Sequence, residues 1–291
     1  MTARILPDRL TRLTASSAAS MLLWLSRTVL ALLVAYPLLS AIDATGITGS
    51  PEHDALLFRP GSLLLLELAR LGLPWFGAIF KISLLLGALS ALCELLPLAG
   101  ALDVLHDSER PLAERAARTL RHFPRFLALG AITWAAQAAL LLAASLLDTA
   151  LKAALQHADE RLLTLAPVAW FGLALLAGSW LSGVLDVARA AVVRRNANAR
   201  DAVLEALATL REQPLALLCG SYVSTIAGLF GYLVAAWLMT RLDLSAQMPT
   251  RIALAFAVHQ CAIVFGIAWR VRWLRRALEL GARDSRLSSG C

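Results

Sequence analysis

The 291-residue chain is 59% hydrophobic and 16% charged, with a mean hydropathy of +0.69; soluble domains run at about 45–50% apolar and roughly 25% charged. An excess of that size does not fit inside one soluble core and puts much of the surface against lipid. The net charge of +7 comes from arginines gathered in loops, without a nucleic-acid-binding motif or a basic patch interleaved with aromatics, which excludes nucleic acid as a partner.

Taken in chain order, six apolar runs approach the roughly 20 residues that a bilayer requires. They lie at Thr28–Thr45, Phe76–Leu98, Phe126–Leu147, Leu162–Leu185, Leu215–Thr240 and Ile252–Trp273. Leu6, Leu10 and Leu13 begin a basic amphipathic helix ahead of the first run. That run contains Pro37 and lacks a small-x-small cleavage site before Asp43, so it reads as an uncleaved anchor. Phe58-Arg59-Pro60-Gly61 signals a turn, and Asp54–Leu73 is too short and charged to cross, which fits an interfacial or re-entrant helix. Leu112, Ala116 and Leu120 repeat at helical spacing among arginines before span three, as do Val203, Leu207 and Leu210 before span five. Short basic helices of this kind lie in the headgroup plane, where anionic lipids attract their arginines.

Charge sets the orientation. With the N-terminus inside, 20 of the 27 basic residues fall on the inner side. They are Arg4 to Arg27, Arg110 to Arg125, Arg189 to Arg211 and the tail from Arg270. The positive-inside rule therefore predicts a multi-pass protein of a bacterial cytoplasmic (inner) membrane with both termini cytoplasmic. Anionic headgroups at that face are the expected lipid partners, and a membrane-protein partner is compatible with the same layout.

Self-similarity supplies a second organising signal. Thr119-Leu120-Arg121-His122-Phe123-Pro124 and the following Leu127 and Gly130 recur 90 residues later as Thr209-Leu210-Arg211-Glu212-Gln213-Pro214, Leu217 and Gly220. Upstream, Gly100-Ala101-Leu102-Asp103-Val104 matches Gly183-Val184-Leu185-Asp186-Val187 at an offset of 83. Each copy reads as a descending span, a Leu-Asp-Val exit, a basic amphipathic helix, a proline corner and an ascending span. Proline disfavours helix just before it and starts one well. The expected fold is thus an all-α polytopic bundle of six transmembrane helices with interfacial basic helices and a parallel hairpin repeat. One integral membrane domain spans residues 1–291, with units near 1–100, 101–185 and 186–276 and a tail at 277–291.

This layout resembles a loose set of bacterial six-span membrane proteins of largely unassigned role. It is similar to the membrane domain attached to some glycerophosphodiester phosphodiesterases. The resemblance covers most of the chain and rests on layout and composition. No soluble phosphodiesterase domain is read in these residues, so the resemblance implies an architecture and no activity.

The candidate binding residues are the few polar groups at depth. Asp103 and Asp186 occupy equivalent inner exits of spans two and four; two such acids suit a cation or proton path, or each caps a helix and pairs with arginine, as Arg189 is placed to do with Asp186. Glu94 lies within span two beside Cys93 and Pro97. Gln137, Tyr222, Ser224, Thr225, His259 and Gln260 converge on a polar cavity in one reading and serve as interhelical hydrogen-bonding glue in the other. On the outer face, Asp43, Glu52, His53, Asp54, Asp148, His157, Asp159 and Glu160 lack any metal-binding spacing. Trp24, Trp75, Trp180, Trp237, Trp269 and Trp273 fall near span ends as headgroup anchors. Cys93, Cys219 and Cys261 are small hydrophobes within apolar segments, with no CxxC pair. No GxxxxGK[ST], GxSxG, HExxH or DxxD motif is present, so the sequence implies no metal, cofactor or catalytic residue. The expected role is a non-enzymatic helper or carrier for a lipid-like or amphipathic small molecule. The alternatives are a lipid-active membrane enzyme using the acids at the inner exits, and a structural subunit of a membrane complex.

Overall fold

The computed structural model describes residues 5–44, 85–86, 88–154, 160–241 and 249–288. They form seven helices: α1 (Ile5–Ala44), α2 (Leu95–His106), α3 (Leu112–Ala154), α4 (Glu160–Arg195), α5 (Ala199–Glu212), α6 (Pro214–Arg241) and α7 (Pro249–Ser288). Helical bonds continue upstream of α2 through Glu94, so that the crossing segment there is Ala88–His106. With α1, α3, α4, α6 and α7 this makes six helical segments long and apolar enough to span a bilayer. The chain is an all-α, multi-pass membrane protein. The outer stretch Asp54–Leu73 lies outside the described residues.

The ends of the elements follow from local chemistry. α4 stops where Asn196 adopts a left-handed φ of 55°, a conformation that Asn tolerates better than most residues and that closes helix C-termini. Two residues on, Asn198 caps α5 by accepting a 2.8 Å bond from the Asp201 amide, which satisfies one of the donors orphaned at a helix start. Arginine side chains take up carbonyls around this turn: Arg118 donates to Val193 O at 3.2 Å and Arg125 to Asn196 O at 2.9 Å. These cations also sit favourably against the negative end of the α4 dipole.

α1 packs on α2, α3 on α4, and α6 on α7, while α4 also meets α2, α5, α6 and α7. The central place of α4 shows in its burial. In its most apolar window 67% of residues are enclosed, against 11% in α6. Packing is concentrated at the end of the bundle where α2 and α4 finish and α6 begins, called here the basic end. Every residue from Gly183 to Val193 is buried, and Leu102, Phe126, Leu129, Leu217, Ile267 and Leu274 close around them. Towards the opposite end Leu142, Leu146, Leu175, Phe230, Leu233 and Phe256 are exposed, as lipid-facing side chains are. Small residues bring helices together, the usual means where lipid removes the hydrophobic drive: between α6 and α7 a Cβ on Gly228 would stand 3.9 Å from the Gly266 Cα.

Several expectations are corrected. The proline corner expected at Pro124 does not occur, because α3 runs unbroken from Leu112 through Pro124 to Ala154. At Pro214 the corner is present: Gln213 leaves the helical conformation and Pro214 starts α6. The two prolines differ because α3 needs no change of direction, whereas α5 folds its Ala202, Ala206 and Thr209 face onto the core and must turn. The leucine-periodic segment before span one is likewise continuous with it in α1, and α7 carries the last span on to Ser288. Asp186 is not at a helix exit either, since α4 continues beyond it to Arg195.

Candidate functional site at the basic end of the bundle

Asp186 is the centre of the buried polar structure. Its side chain has no exposed surface, and a carboxylate there is tolerable only with donors on both oxygens. α7 supplies three of the bonds. Arg270 reaches Oδ2 at 2.5 Å and Oδ1 at 2.8 Å in a two-pronged clamp, and Trp273 Nε1 donates to Oδ2 at 2.9 Å. α4 supplies the fourth, from Arg189 to Oδ1 at 2.9 Å. The second prong of Arg189 lies 3.4 Å from Thr133 Oγ1 on α3. One carboxylate thereby ties α3, α4 and α7 together.

Asp103 is equally enclosed but differently served. Arg110 and Arg118 approach only Oδ1, at 3.5 and 3.4 Å, and Oδ2 has no hydrogen-bond partner. Arg110 is shared with Asp107 at 2.7 Å and Glu114 at 3.2 Å. Nearby on α3, His122 is buried with neither ring nitrogen bonded. The two acids that the sequence makes equivalent therefore differ in kind, one saturated and one with an open oxygen.

The remaining candidates are dispersed over helix seams. Glu94 is half-exposed and stands 3.4 Å from Arg27 Nε; with Leu23, Ser26, Leu98 and Arg270 this pair lines a cleft of about 60 Å³. Gln137 donates to Ser182 Oγ at 3.2 Å between α3 and α4. Gln260 accepts from Trp24 Nε1 at 3.0 Å between α7 and α1. His259 is exposed and faces Tyr232 across 6.3 Å between ring centroids. Tyr222 donates to Leu176 O at 3.1 Å, and Thr225 pairs with Ser179 at 3.0 Å. Each of these contacts joins one pair of helices; of the candidates, Glu94 lines the small cleft and Ser224 a separate one between α6 and α7. On the other side of the bundle, Asp148 pairs with Lys152 at 2.7 Å, whereas Glu52, His53, Asp54, His157 and Asp159 lie outside the described residues. Among the described residues no three His, Cys, Asp or Glu side chains gather as a metal site.

Comparison with protein-family models, curated proteins and solved structures returns no match. The site must therefore be read from its own chemistry.

Sequence reasoning found Asp186 and its local partner Arg189, three residues away. It missed Arg270 and Trp273, which are 84 and 87 residues distant. The available signal was the departure of Arg270 from solvent: it lies inside the apolar segment Ala253–Leu280, where an unpaired guanidinium is costly. It also missed a second, larger cleft of about 300 Å³ between α6 and α7, lined by Cys219, Gly220, Ser224, Trp269, Arg272 and Arg276 among others.

Proposed function

We propose that the chain is a non-enzymatic protein of a bacterial cytoplasmic membrane, with both termini inside, that holds or carries an anionic lipid-like amphiphile at its basic end. The observation that carries this reading is the way arginine is divided at that end. Asp186 is saturated by Arg189, Arg270 and Trp273, so it has no free lone pair for a reacting proton and acts as a structural tie. Arg121, Arg200, Arg272 and Arg276 stay exposed around the same end, where anionic headgroups are attracted to them. The parallel repeat, the interfacial setting of α5 and the likeness to phosphodiesterase-attached membrane domains belong to the same reading. They describe a scaffold that presents basic helices to the inner leaflet.

A lipid-active enzyme is the second reading, and one observation favours it: the open Oδ2 of Asp103 near the unbonded ring of His122. Buried polar atoms without partners are rare and often mark function. Native mass spectrometry of the protein released from mixed anionic and zwitterionic lipid separates the two. Selective retention of intact anionic lipid supports the binding reading. Release of a chemically altered lipid, abolished by Asp103→Asn with expression unchanged, would establish the enzyme instead. A reporter inserted after Asn198 should be cytoplasmic, and an external reporter there would reverse the orientation.

A further inference from the structure

We propose that the groove between α6 and α7 is a headgroup site for an anionic phospholipid, with Arg272 and Arg276 on the phosphate and the acyl chains along Val223 and Phe265. The inference rests on the reading of the chain as a binder of anionic amphiphiles and names the place where binding occurs.

Four features of the groove converge on this occupant. First, the face of α7 that borders it changes character along its length. Phe265, Trp269, Arg272 and Arg276 fall at successive spacings of four, three and four residues, which puts them on one side of the helix. Phe265 meets Trp269 edge-on at 6.3 Å between centroids, and the Arg272 guanidinium lies 4.9 Å above the Trp269 ring. The stripe passes from aromatic through an indole to two cations, the same order as acyl chain, interface and phosphate in a phospholipid.

Second, the cations are free to bind. Among the described residues neither Arg272 nor Arg276 has a carboxylate within ion-pair distance, unlike Arg110, Arg189 and Arg270. Their separation of four residues is about 6 Å along the helix, a span over which two guanidinium forks can share one phosphate group. Ser224 adds a hydroxyl to the same lining.

Third, the floor is rigid. Gly220 has no side chain, and a Cβ there would come within 2.8 Å of Trp273 Cε3. The six-membered ring of the indole therefore abuts the α6 backbone at Gly220, and its Nε1–H is fixed on Asp186. The Arg276 stem crosses the same glycine, its Cδ 3.6 Å from where a Cβ would stand. Fourth, the volume of about 300 Å³ reaches the lower end of the range for small-molecule sites, about 300–1,000 Å³. Its apolar continuation is open to lipid, since Val223 and Phe265 are both exposed.

The test uses the full chain in vesicles of phosphatidylglycerol and phosphatidylcholine, with retained lipid counted by native mass spectrometry. Arg272→Gln/Arg276→Gln should lower phosphatidylglycerol retention about tenfold. A charge-matched control at the opposite end of the bundle, Lys152→Gln/Arg241→Gln, both exposed, should leave it near the wild-type level. Val223→Trp, which fills the groove and keeps both arginines, should also displace the lipid. Equal losses in the groove and control variants would reduce the effect to general surface charge and overturn the site. Unchanged retention in the groove variant overturns the site while leaving the binding reading intact. Absence of phosphatidylglycerol from the wild type overturns both. Inorganic phosphate should not compete; displacement by it would assign the groove to the free anion and overturn the lipid.

Discussion

Trp273 on α7 donates its indole N–H to Oδ2 of Asp186 on α4 over 2.9 Å, and through this bond the buried acid and the surface groove share one side chain. One edge of the indole satisfies the carboxylate, while its ring covers Gly220. Disturbing the acid should therefore loosen both the packed core and the groove floor. Asp186→Ala leaves Arg189 and Arg270 without their counter-charge in a buried setting, an expected loss of about 3–5 kcal/mol. Trp273→Phe keeps the Arg270 clamp and removes one bond to a charged acceptor, so about 2 kcal/mol is expected. Thermal unfolding in mild detergent ranks the two. If Asp186→Ala costs less than Trp273→Phe, the carboxylate is not the tie described.

Close helix approach gives a prediction with its own control. A Cβ on Gly183 would stand 2.7 Å from Ser221 Cβ, a distance at which α4 and α6 must separate. Gly183→Ala should destabilise by about 1–3 kcal/mol. Nothing lies within 4 Å of the corresponding position on Gly172 in the same helix, so Gly172→Ala should be neutral or gain up to about 1 kcal/mol from helix propensity. Equal effects at both positions would mean that α4 and α6 are farther apart than described.

His122 carries a prediction of opposite sign. Its ring is buried on α3 with both nitrogens unbonded, a state costing about 1–3 kcal/mol relative to a satisfied group. His122→Leu should be neutral or stabilising by about 1–2 kcal/mol. A loss of stability on that substitution would instead reveal a partner for the ring.

How far the sequence reached can be seen at these same residues. Span number and helical class were legible because apolar run length is a local property, and the Asp186–Arg189 pair because it is three residues apart. The acceptor role of Asp186 for α7 was not legible, since no local pattern reports a contact 87 residues away. Trp273 was read as a headgroup anchor because it closes an apolar run, yet it is buried. The repeat glycines Gly183 and Gly220 were visible as matched letters. Their physical work, admitting Ser221 and Trp273, depends on which helix lies opposite. The matched acids were assigned matched roles, but the partners of Asp103 come from α3 and the adjoining turn, whereas α7 dominates those of Asp186.

The two matched prolines turn that lesson into a measurement. Pro124 lies within the continuous helix α3, where it withholds an amide from the ladder, whereas Pro214 stands at the first position of α6, where no amide is needed. Interior proline costs up to about 3 kcal/mol relative to alanine, partly recovered in membranes by local adjustment. Proline at a helix start gains from its restricted unfolded chain, about 0.4–1 kcal/mol. Pro124→Ala should therefore be neutral to stabilising and Pro214→Ala mildly destabilising, as read by unfolding in the same detergent. The opposite signs would place a true corner at Pro124 and restore the symmetry that the matched sequences suggest.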